Sequence, residues 1–278
     1  MKPTITRRGA LLSAVVPLVL RGADEEHNTL SAAEKKAGWI LLFDGKTWNN
    51  WHGPESDPRV AQSFAIEDGS LRVLVRPAMR KDLISRQAFG DFEMTWDWKT
   101  APRGNTGVKY LIQDVMPLDE RGRAGQKFEA TVGEHYRQHM KGALKLAADA
   151  QGQEYVFAYE YQLGDSSPRP GQQPNPSNTG ALYSLIAPTS VPAKPVGEWN
   201  TSRIVLQKDT VQHWLNGEKV LETRLDNPAI DAGFAKRWKA DAPEVYELLS
   251  KLPKRRCPVA LQNHNDEAWF RNIKIRNL

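Results

Sequence analysis

The sequence predicts an all-β protein, built as a sandwich of two antiparallel sheets with short helical insertions. Residues 91–99 alternate apolar and polar side chains at every position, as a half-buried antiparallel strand does. Two tight hairpins are indicated at Asp68-Gly69 and Asn216-Gly217, dipeptides that favour type I′ turns. About a dozen short strands, with nine tryptophans available to fill the interior, fit a two-sheet sandwich.

The start of the chain differs from the rest. Arg7 and Arg8 precede an apolar run over residues 10–20, after which charge returns. Such a run is too short to span a bilayer as a mature helix, and paired arginines before it are typical of a twin-arginine export signal. We therefore expect an export signal and disordered leader over 1–29, a domain over 30–278, and a periplasmic or secreted protein without a stable membrane span. Retention as an anchor and a buried N-terminal helix are the alternatives.

Further strands are predicted near residues 39–43, 82–85, 105–112, 156–162, 181–186, 199–207, 259–263 and 268–275. Residues 118–153 and 230–252 break the alternation with helical stretches, the first of them over 134–150. Both segments lie between strands and are predicted to be insertions at the rim of the sandwich. The proline-rich residues 165–179 are predicted to form a loop, and ordered loops of this length are often functional.

Composition excludes some classes of function. The net charge of +5 is mild and the basic residues are spread along the chain, which argues against a dedicated nucleic-acid binder. The short basic run at residues 254–256 is interpreted as a solvated loop. Cys257 is the single cysteine, so the exported fold would have no internal disulfide.

Familiar catalytic motifs are absent from the sequence. There is no Walker loop, no Gly-x-Gly-x-x-Gly and no Gly-x-Ser-x-Gly. The paired carboxylates of sandwich-fold glucanases are matched only by Glu55 and Asp57, which lack the third acid. His135 and His139 stand four apart, but Tyr136 follows the first, so the zincin pattern fails and a solvated helix face is favoured.

Polar residues on several predicted strands carry the strongest functional signal. Alternation places Glu160 and Gln162 on one face of their strand and two tyrosines on the other. The same rule aligns Asn105 with Lys109 across a glycine, and Gln262 with His264. If these strands adjoin, their side chains form one polar face suited to a hydroxyl-rich ligand; an ordinary solvated sheet face is the alternative. Trp199 begins a strand after a loop, where an indole either packs or stacks on a sugar.

Six collinear blocks of the chain carry a family resemblance. They are "GWILLFDGKTWNNWHG", "DFEMTWDWKTAPRGNTGVKYLI", "YEYQLGDS", "TGALYSLIAP", "KPVGEWNTSRIVLQKDTVQHWLNGEKVLE" and "ALQNHNDEAWFRNIKIRNL". Together they resemble the 3-keto-disaccharide hydrolase domain family. The resemblance implies a concanavalin-like jelly-roll sandwich, a fold that lectins and enzymes share, so the fold alone does not give the function.

The family's chemistry implies roles for the polar residues. A glycoside oxidised at C3 has an acidic C2 proton, so cleavage needs a base, an acid for the leaving oxygen and a cation for the developing enolate. The resemblance assigns Glu160 as base or acid, His264 as its partner, and Lys109, where the family often has arginine, as the group that polarises the ketone. The residues expected to orient hydroxyls are Asn105, Gln162, Asp165, Trp199, Asn200, Gln262 and Arg271.

Two features depart from the family or stay open. Asn265 follows His264 where the family commonly has glycine, and the insertion after Ile112 is longer than usual. No cofactor is certain, although Glu160, Asp165 and His264 would form a divalent metal site if they converged.

The resulting expectation is an exported enzyme that cleaves 3-keto-glycosides or 3-keto-disaccharides by C2 proton abstraction, elimination and hydration. Its expected partner is a carbohydrate, not nucleic acid. A non-catalytic, lectin-like carbohydrate-binding module is the first alternative, and a scaffold or adhesion module the second.

Overall fold

A computed structural model describes residues 27–121, 123, 125–168 and 171–278 of the chain. The predicted export signal therefore lies outside the described residues, apart from its last three positions. Within the part of the chain that is described, no helix combines the length and the apolarity needed to cross a membrane.

Strands are the main regular secondary structure of the described residues, and helices occupy two insertions and two short connections. The strands are β1 Ile40–Leu41, β2 Phe64–Glu67, β3 Ser70–Val73, β4 Met79–Arg80, β5 Leu83–Ile84, β6 Phe92–Thr100, β7 Asn105–Asp119, β8 Gly152–Gly164, β9 Asn200–Gln207, β10 Thr210–Leu215, β11 Glu218–Arg224, β12 Ala260–Leu261 and β13 Ala268–Asn277. The helices are α1 Ala32–Lys36, α2 Val60–Ser63, α3 Phe128–Met140, α4 Pro228–Phe234 and α5 Pro243–Ser250, with a π-helix over Ala235–Lys239 between α4 and α5.

The strands form two sheets that pack face to face. The larger sheet has the order β11-β10-β9-β6-β13-β3-β2, with β1 paired to β13, and the five-stranded sheet has the order β4-β8-β7-β12-β5. Trp96 of the larger sheet meets Tyr161 of the smaller one edge to face, with ring centroids 5.3 Å apart, and both are fully buried. Burying such side chains stabilises the sandwich by about 1.5–3 kcal/mol each. The predicted two-sheet architecture is confirmed.

Local sequence explains the hairpins. Asp68 and Asn216 adopt positive φ angles of 47° and 48°, and each is followed by a glycine that does the same, as a type I′ turn requires. Residues 181–186, however, do not form a strand. They turn instead, with Ser184 at φ 59° and two isolated bridges, from Leu182 to Tyr161 and from Leu182 to Ile186. The apolar residues there pack against the core: Leu182 is fully buried, and Leu185 and Ile186 are partly buried.

The two helical insertions lie next to each other beside the five-stranded sheet. Helix α3 lies between β7 and β8 and spans Phe128–Met140, earlier than the stretch predicted from the sequence. In the second insertion, Asn227 caps α4 by accepting a hydrogen bond from the Ala229 amide, and Pro228 and Pro243 begin α4 and α5. These helices rise at one side of the sheet and turn its outer face into a cleft.

Candidate active site

A cleft of about 500 Å³ lies over the outer face of the five-stranded sheet. Its floor comes from β7 and β8, where Lys109 lies directly opposite Glu160 and Gly107 opposite Gln162. The backbone amide of Gln262, just after β12, donates to the Gly107 carbonyl at 2.9 Å and brings the third segment alongside. Six of the predicted residues therefore meet in this cleft: Asn105, Lys109, Glu160, Gln162, Gln262 and His264.

Gly107 makes room for the central carboxyl group. A Cβ atom at this position would collide with the side chain of Glu160, which lies across the glycine. The backbone of Gly107 does not need a positive φ angle, so its lack of a side chain matters here for space alone. The glycine predicted to leave room over the sheet thus leaves the space that the Glu160 side chain occupies.

Glu160 sits half-buried on the floor of the cleft, between the sheet and the inserted helices. Burial raises the pKa of its carboxyl group from 4.5 to about 7, while the nearby cations Lys109 and Arg237 oppose that rise. Among the described residues, the Glu160 carboxyl group accepts one long hydrogen bond, from Gln262 Nε2 at 3.3 Å. A carboxyl group that titrates near neutral pH is suited to proton transfer.

Lys109 is buried beside Glu160, and its ammonium group has a partner. Its Nζ donates to Asp82 Oδ2 at 2.6 Å, and both side chains are almost fully covered. Burial alone would lower the pKa of Lys109, but Asp82 and Glu160 outweigh it and raise that pKa. Lys109 therefore stays charged, and its charge lowers the pKa of Glu160. Much of that charge is balanced by the ion pair with Asp82.

Amide groups and one histidine line the next part of the floor. Gln162 Nε2 donates to Asn105 Oδ1 at 2.8 Å, and Asn105 Nδ2 lies 3.3 Å from His264 Nε2. The other ring nitrogen of His264 faces the Asp266 carboxylate at 3.3 Å. His264 is exposed at the mouth of the cleft, so it can meet a ligand directly.

The wall that faces this floor comes from the inserted helices. Arg237 of the π-helix lies against the Tyr183 ring at 5.5 Å and near the Tyr155 hydroxyl at 3.5 Å. Trp238, next along the helix, is buried and its ring lies 4.6 Å from the Arg237 guanidinium. π-Helical turns occur often at functional sites, and this one carries a cation into the cleft.

The residues of this wall were not predicted from the sequence. Arg237 lies in a segment interpreted only as a rim insertion, and Tyr183 lies in the wrongly predicted strand. One signal was available: Phe234, Arg237 and Trp238 share the i, i+3, i+4 spacing of one helix face. A charged residue on an otherwise aromatic face is unusual, and it marks Arg237 as a candidate.

Four predicted ligand-binding residues lie elsewhere: one follows the end of β8, and three lie on or next to strands of the larger sheet, a membership that strand alternation does not reveal. Asp165 is exposed and accepts from the Arg103 amide at 2.9 Å. Asn200 is buried, where its Oδ1 accepts from the Lys194 amide and from Asn216, each at 2.8 Å. Both line a separate cavity of about 220 Å³ at one end of the sandwich.

The other two lie beside the larger sheet. Arg271 is on β13, and its guanidinium lies 3.9 Å from the centre of the Trp199 ring. Lys99 also lies over that ring, at 5.0 Å, so the indole is occupied by cations. The expectation that Trp199 and Arg271 share a surface with Glu160 is wrong.

The metal site considered from the sequence does not form. Glu160 and His264 line the cleft, but Asp165 belongs to the separate cavity. Within the described ranges, no group of three or more His, Cys, Asp or Glu side chains is placed to hold a metal ion.

A two-sheet sandwich whose outer face carries a concave polar cleft, with a partly buried carboxyl group on its floor, defines a class of sandwich-fold proteins with a ligand-sized site on one sheet. Residues 38–276 match the family model described as a 3-keto-alpha-glucoside-1,2-lyase-like domain. A curated protein of Bacteroides thetaiotaomicron, named 3-keto-disaccharide hydrolase, is 31% identical over 266 residues, which is 91% of this chain and 83% of that protein. The chain belongs to this family.

Solved structures agree on the fold. A putative glycosyl hydrolase from Parabacteroides distasonis superposes with a TM-score of 0.61 at 23% identity, covering 91% of this chain and all of the other. A second putative glycosyl hydrolase from the same organism gives a TM-score of 0.54 at 20% identity, covering 86% of this chain and 99% of the other. The predicted jelly-roll sandwich is confirmed, as are the predicted family and an enzyme of this kind, one that cleaves glycosides.

Proposed function

We propose that this protein cleaves 3-keto-glycosides or 3-keto-disaccharides by removing the C2 proton, eliminating the C1 substituent and hydrating the product. The observation that carries the proposal is the carboxyl group of Glu160, which lies in the cleft with a pKa of about 7. The related B. thetaiotaomicron protein, named 3-keto-disaccharide hydrolase, supports the choice of substrate class.

Glu160 acts first, as the base. The C3 ketone makes the neighbouring C2 proton acidic, and the Glu160 carboxylate takes that proton. The electrons of the C2–H bond form a C2–C3 double bond while the ketone oxygen becomes an enolate. A base whose pKa lies near the working pH combines a useful ionised fraction with a strong pull on the proton.

Elimination and hydration complete the reaction. As the enolate returns to a ketone, a C1–C2 double bond forms and the bond from C1 to the leaving oxygen breaks. That oxygen takes a proton, for which His264 is the candidate acid, oriented by Asp266 at 3.3 Å. Water then adds its oxygen to C1 while a proton returns to C2, and the free 3-keto sugar results.

The amide side chains orient the sugar in this proposal. Asn105, Gln162 and Gln262 present donors and acceptors over the same floor. Among the residues that the structure describes, none forms a hydrogen bond with the buried Gln262 Oε1, although buried polar atoms are normally paired. A sugar hydroxyl that donated to this oxygen would remove that deficit.

We also propose that the protein is exported through the twin-arginine pathway and works in the periplasm or outside the cell. The paired Arg7 and Arg8 before an apolar run support this. Replacing both arginines with lysine should leave the full-length precursor in the cytoplasm, which cell fractionation would show. Unchanged export of this variant would contradict the proposal.

Incubation with matched sugars tests the function. The purified protein is given a 3-keto-glucoside and its unoxidised parent, and release of the aglycone is followed. We expect release from the keto form alone. Binding of the keto form without release would instead favour the lectin-like module, and no affinity for either sugar would favour a scaffold.

A further inference from the structure

Proton abstraction at C2 transfers negative charge to the oxygen of C3, so the reaction needs a cation near that oxygen. Removing one group that stabilises such an oxyanion typically costs a factor of 10²–10³ in rate. Lys109 is the cation suggested by sequence, but its ammonium lies 2.6 Å from the buried Asp82 carboxylate. An ion pair of this kind has little net charge to offer a substrate.

Arg237 is the second cation beside Glu160. It enters the cleft from the π-helix, on the wall that faces the sheet, whereas Glu160 rises from the floor. Atoms C2 and C3 of a sugar are bonded to each other. A base on the floor can therefore reach the C2 proton while a cation on the wall that faces the floor reaches the oxygen of C3. Both side chains line the same cleft, and the positive charge of Arg237 lowers the pKa of Glu160.

The surroundings of Arg237 hold it in place without matching its charge closely. Its contact with the Glu129 carboxylate is long, 3.4 Å from Nε, compared with 2.6 Å for the Lys109–Asp82 pair. The other titratable groups that act on it are Tyr155, Tyr183 and Glu160. The guanidinium group has five donors, and these contacts engage only some of them.

We propose that Arg237 is the catalytic cation that receives the negative charge on the C3 oxygen as Glu160 removes the C2 proton. This inference rests on the proposed function and deepens it. It assigns to the second insertion a direct part in the chemistry: the helices do not merely border the cleft, since their π-turn supplies a group that contacts the substrate.

The test compares Arg237→Met with Lys239→Met, which removes a cation from the same π-helix. Lys239 is exposed and lies 5.2 Å from the Tyr246 ring, outside the cleft. Two rates are measured with a 3-keto-glucoside: aglycone release, and exchange of the C2 proton for deuterium by NMR. We expect Arg237→Met to slow both by about 10²–10³-fold and Lys239→Met to stay within about twofold of wild type.

A second readout separates catalysis from folding. Because Arg237 lowers the pKa of Glu160, its loss should move the acid limb of the kcat/KM profile to higher pH. The charges that set this limb are those of Glu160 itself, Lys109, Asp82 and Arg237. Arg237→Lys keeps the charge, so it should restore part of the rate and return the limb toward wild type. If Arg237→Met fails to fold, the rate and pH profile of Arg237→Lys still test the proposal.

The outcomes distinguish the two proposals. If the wild-type protein neither exchanges the C2 proton for deuterium nor releases the aglycone, the proposed function is wrong, and so is the role of Arg237 that rests on it. If the wild type is active but Arg237→Met exchanges C2 within tenfold of wild type, only the inference about Arg237 is overturned. Loss of release with exchange intact would also overturn it, because the cation would then act on the leaving group.

Discussion

Glu93 and Glu160 occupy similar positions on the two sheets and differ in their partners. Each is on the face of its sheet that is turned away from the sandwich core. Glu93 accepts from Arg203 at 3.0 Å and from Arg276 Nε at 2.9 Å, so both of its oxygens are paired with guanidinium groups. Within the described part of the chain, the Glu160 carboxyl group accepts one long hydrogen bond, from Gln262, and burial raises its pKa to about 7.

This difference in partners explains why burial raises the proton affinity of Glu160. On the larger sheet, cations and acids lie side by side and satisfy one another. On the smaller sheet, the inserted helices cover Glu160 and its neighbouring charges. The closest cation, Lys109, forms an ion pair with Asp82 and not with Glu160. Glu160 is therefore desolvated without full compensation, which favours its neutral form and raises its affinity for a proton. Glu93 therefore stabilises the fold, whereas ionised Glu160 lowers its stability, a cost that is common at the active sites of enzymes and that fits the proposed role of Glu160 as a base.

The largest expected effect is a loss of activity in the glutamine variant of Glu160 but not in that of Glu93. Glu160→Gln should lower kcat for a 3-keto-glucoside by about 10³-fold or more, because the amide cannot take a proton. Glu93→Gln, the matched control, should leave kcat within about twofold. Aglycone release gives the rates, and calorimetric titration of the keto-sugar should show that Glu160→Gln still binds. Equal losses in both variants would remove the distinction.

Gly107→Ala tests the position of Glu160 without changing its chemistry. The added methyl group would collide with the carboxyl side chain and push it from its place. Displacing a catalytic group by about 1 Å can cost about 10²-fold, so kcat should fall by 10–10²-fold. Thermal unfolding should stay near that of wild type, because the backbone there suits alanine. Wild-type kinetics would show that Glu160 need not lie over Gly107.

Stability should change in opposite directions in the two glutamine variants. Since burial raises the pKa of Glu160 from 4.5 to about 7, its ionisation weakens the fold as pH rises between those values. Glu160→Gln should therefore gain about 1–3 kcal/mol in free energy of unfolding at pH 8, and less at pH 4. Glu93→Gln should lose about 1–2 kcal/mol, because two arginines lose a charged partner. Urea denaturation at both pH values measures this, and a pH-independent difference for Glu160→Gln would contradict it.

The smallest effect is expected on the larger sheet. Trp199 lies under the Arg271 and Lys99 cations, away from the cleft. Trp199→Ala should therefore leave kcat and KM for the keto-sugar within about twofold. A tenfold rise in KM in steady-state assays would indicate that a sugar also contacts this face.

Sequence patterns located the cleft floor because the needed information was local. Period-two alternation placed Glu160 and Gln162 on one face, and family blocks picked the strands that carry them. The patterns failed where sheet membership decided the outcome. Gln262 and His264 belong with β12 of the smaller sheet, yet Arg271, a few residues later, belongs to β13 of the larger one. Arg237 was missed because its position depends on how an insertion packs onto a sheet far away in sequence.

The central claim is that Glu160 removes the C2 proton of a 3-keto sugar. Deuterium exchange at C2, followed by NMR in heavy water near pH 7, tests it most directly. We expect wild-type protein to catalyse this exchange, and Glu160→Gln to bind the sugar but leave the C2 proton in place. Exchange by Glu160→Gln at the wild-type rate would show that another group is the base.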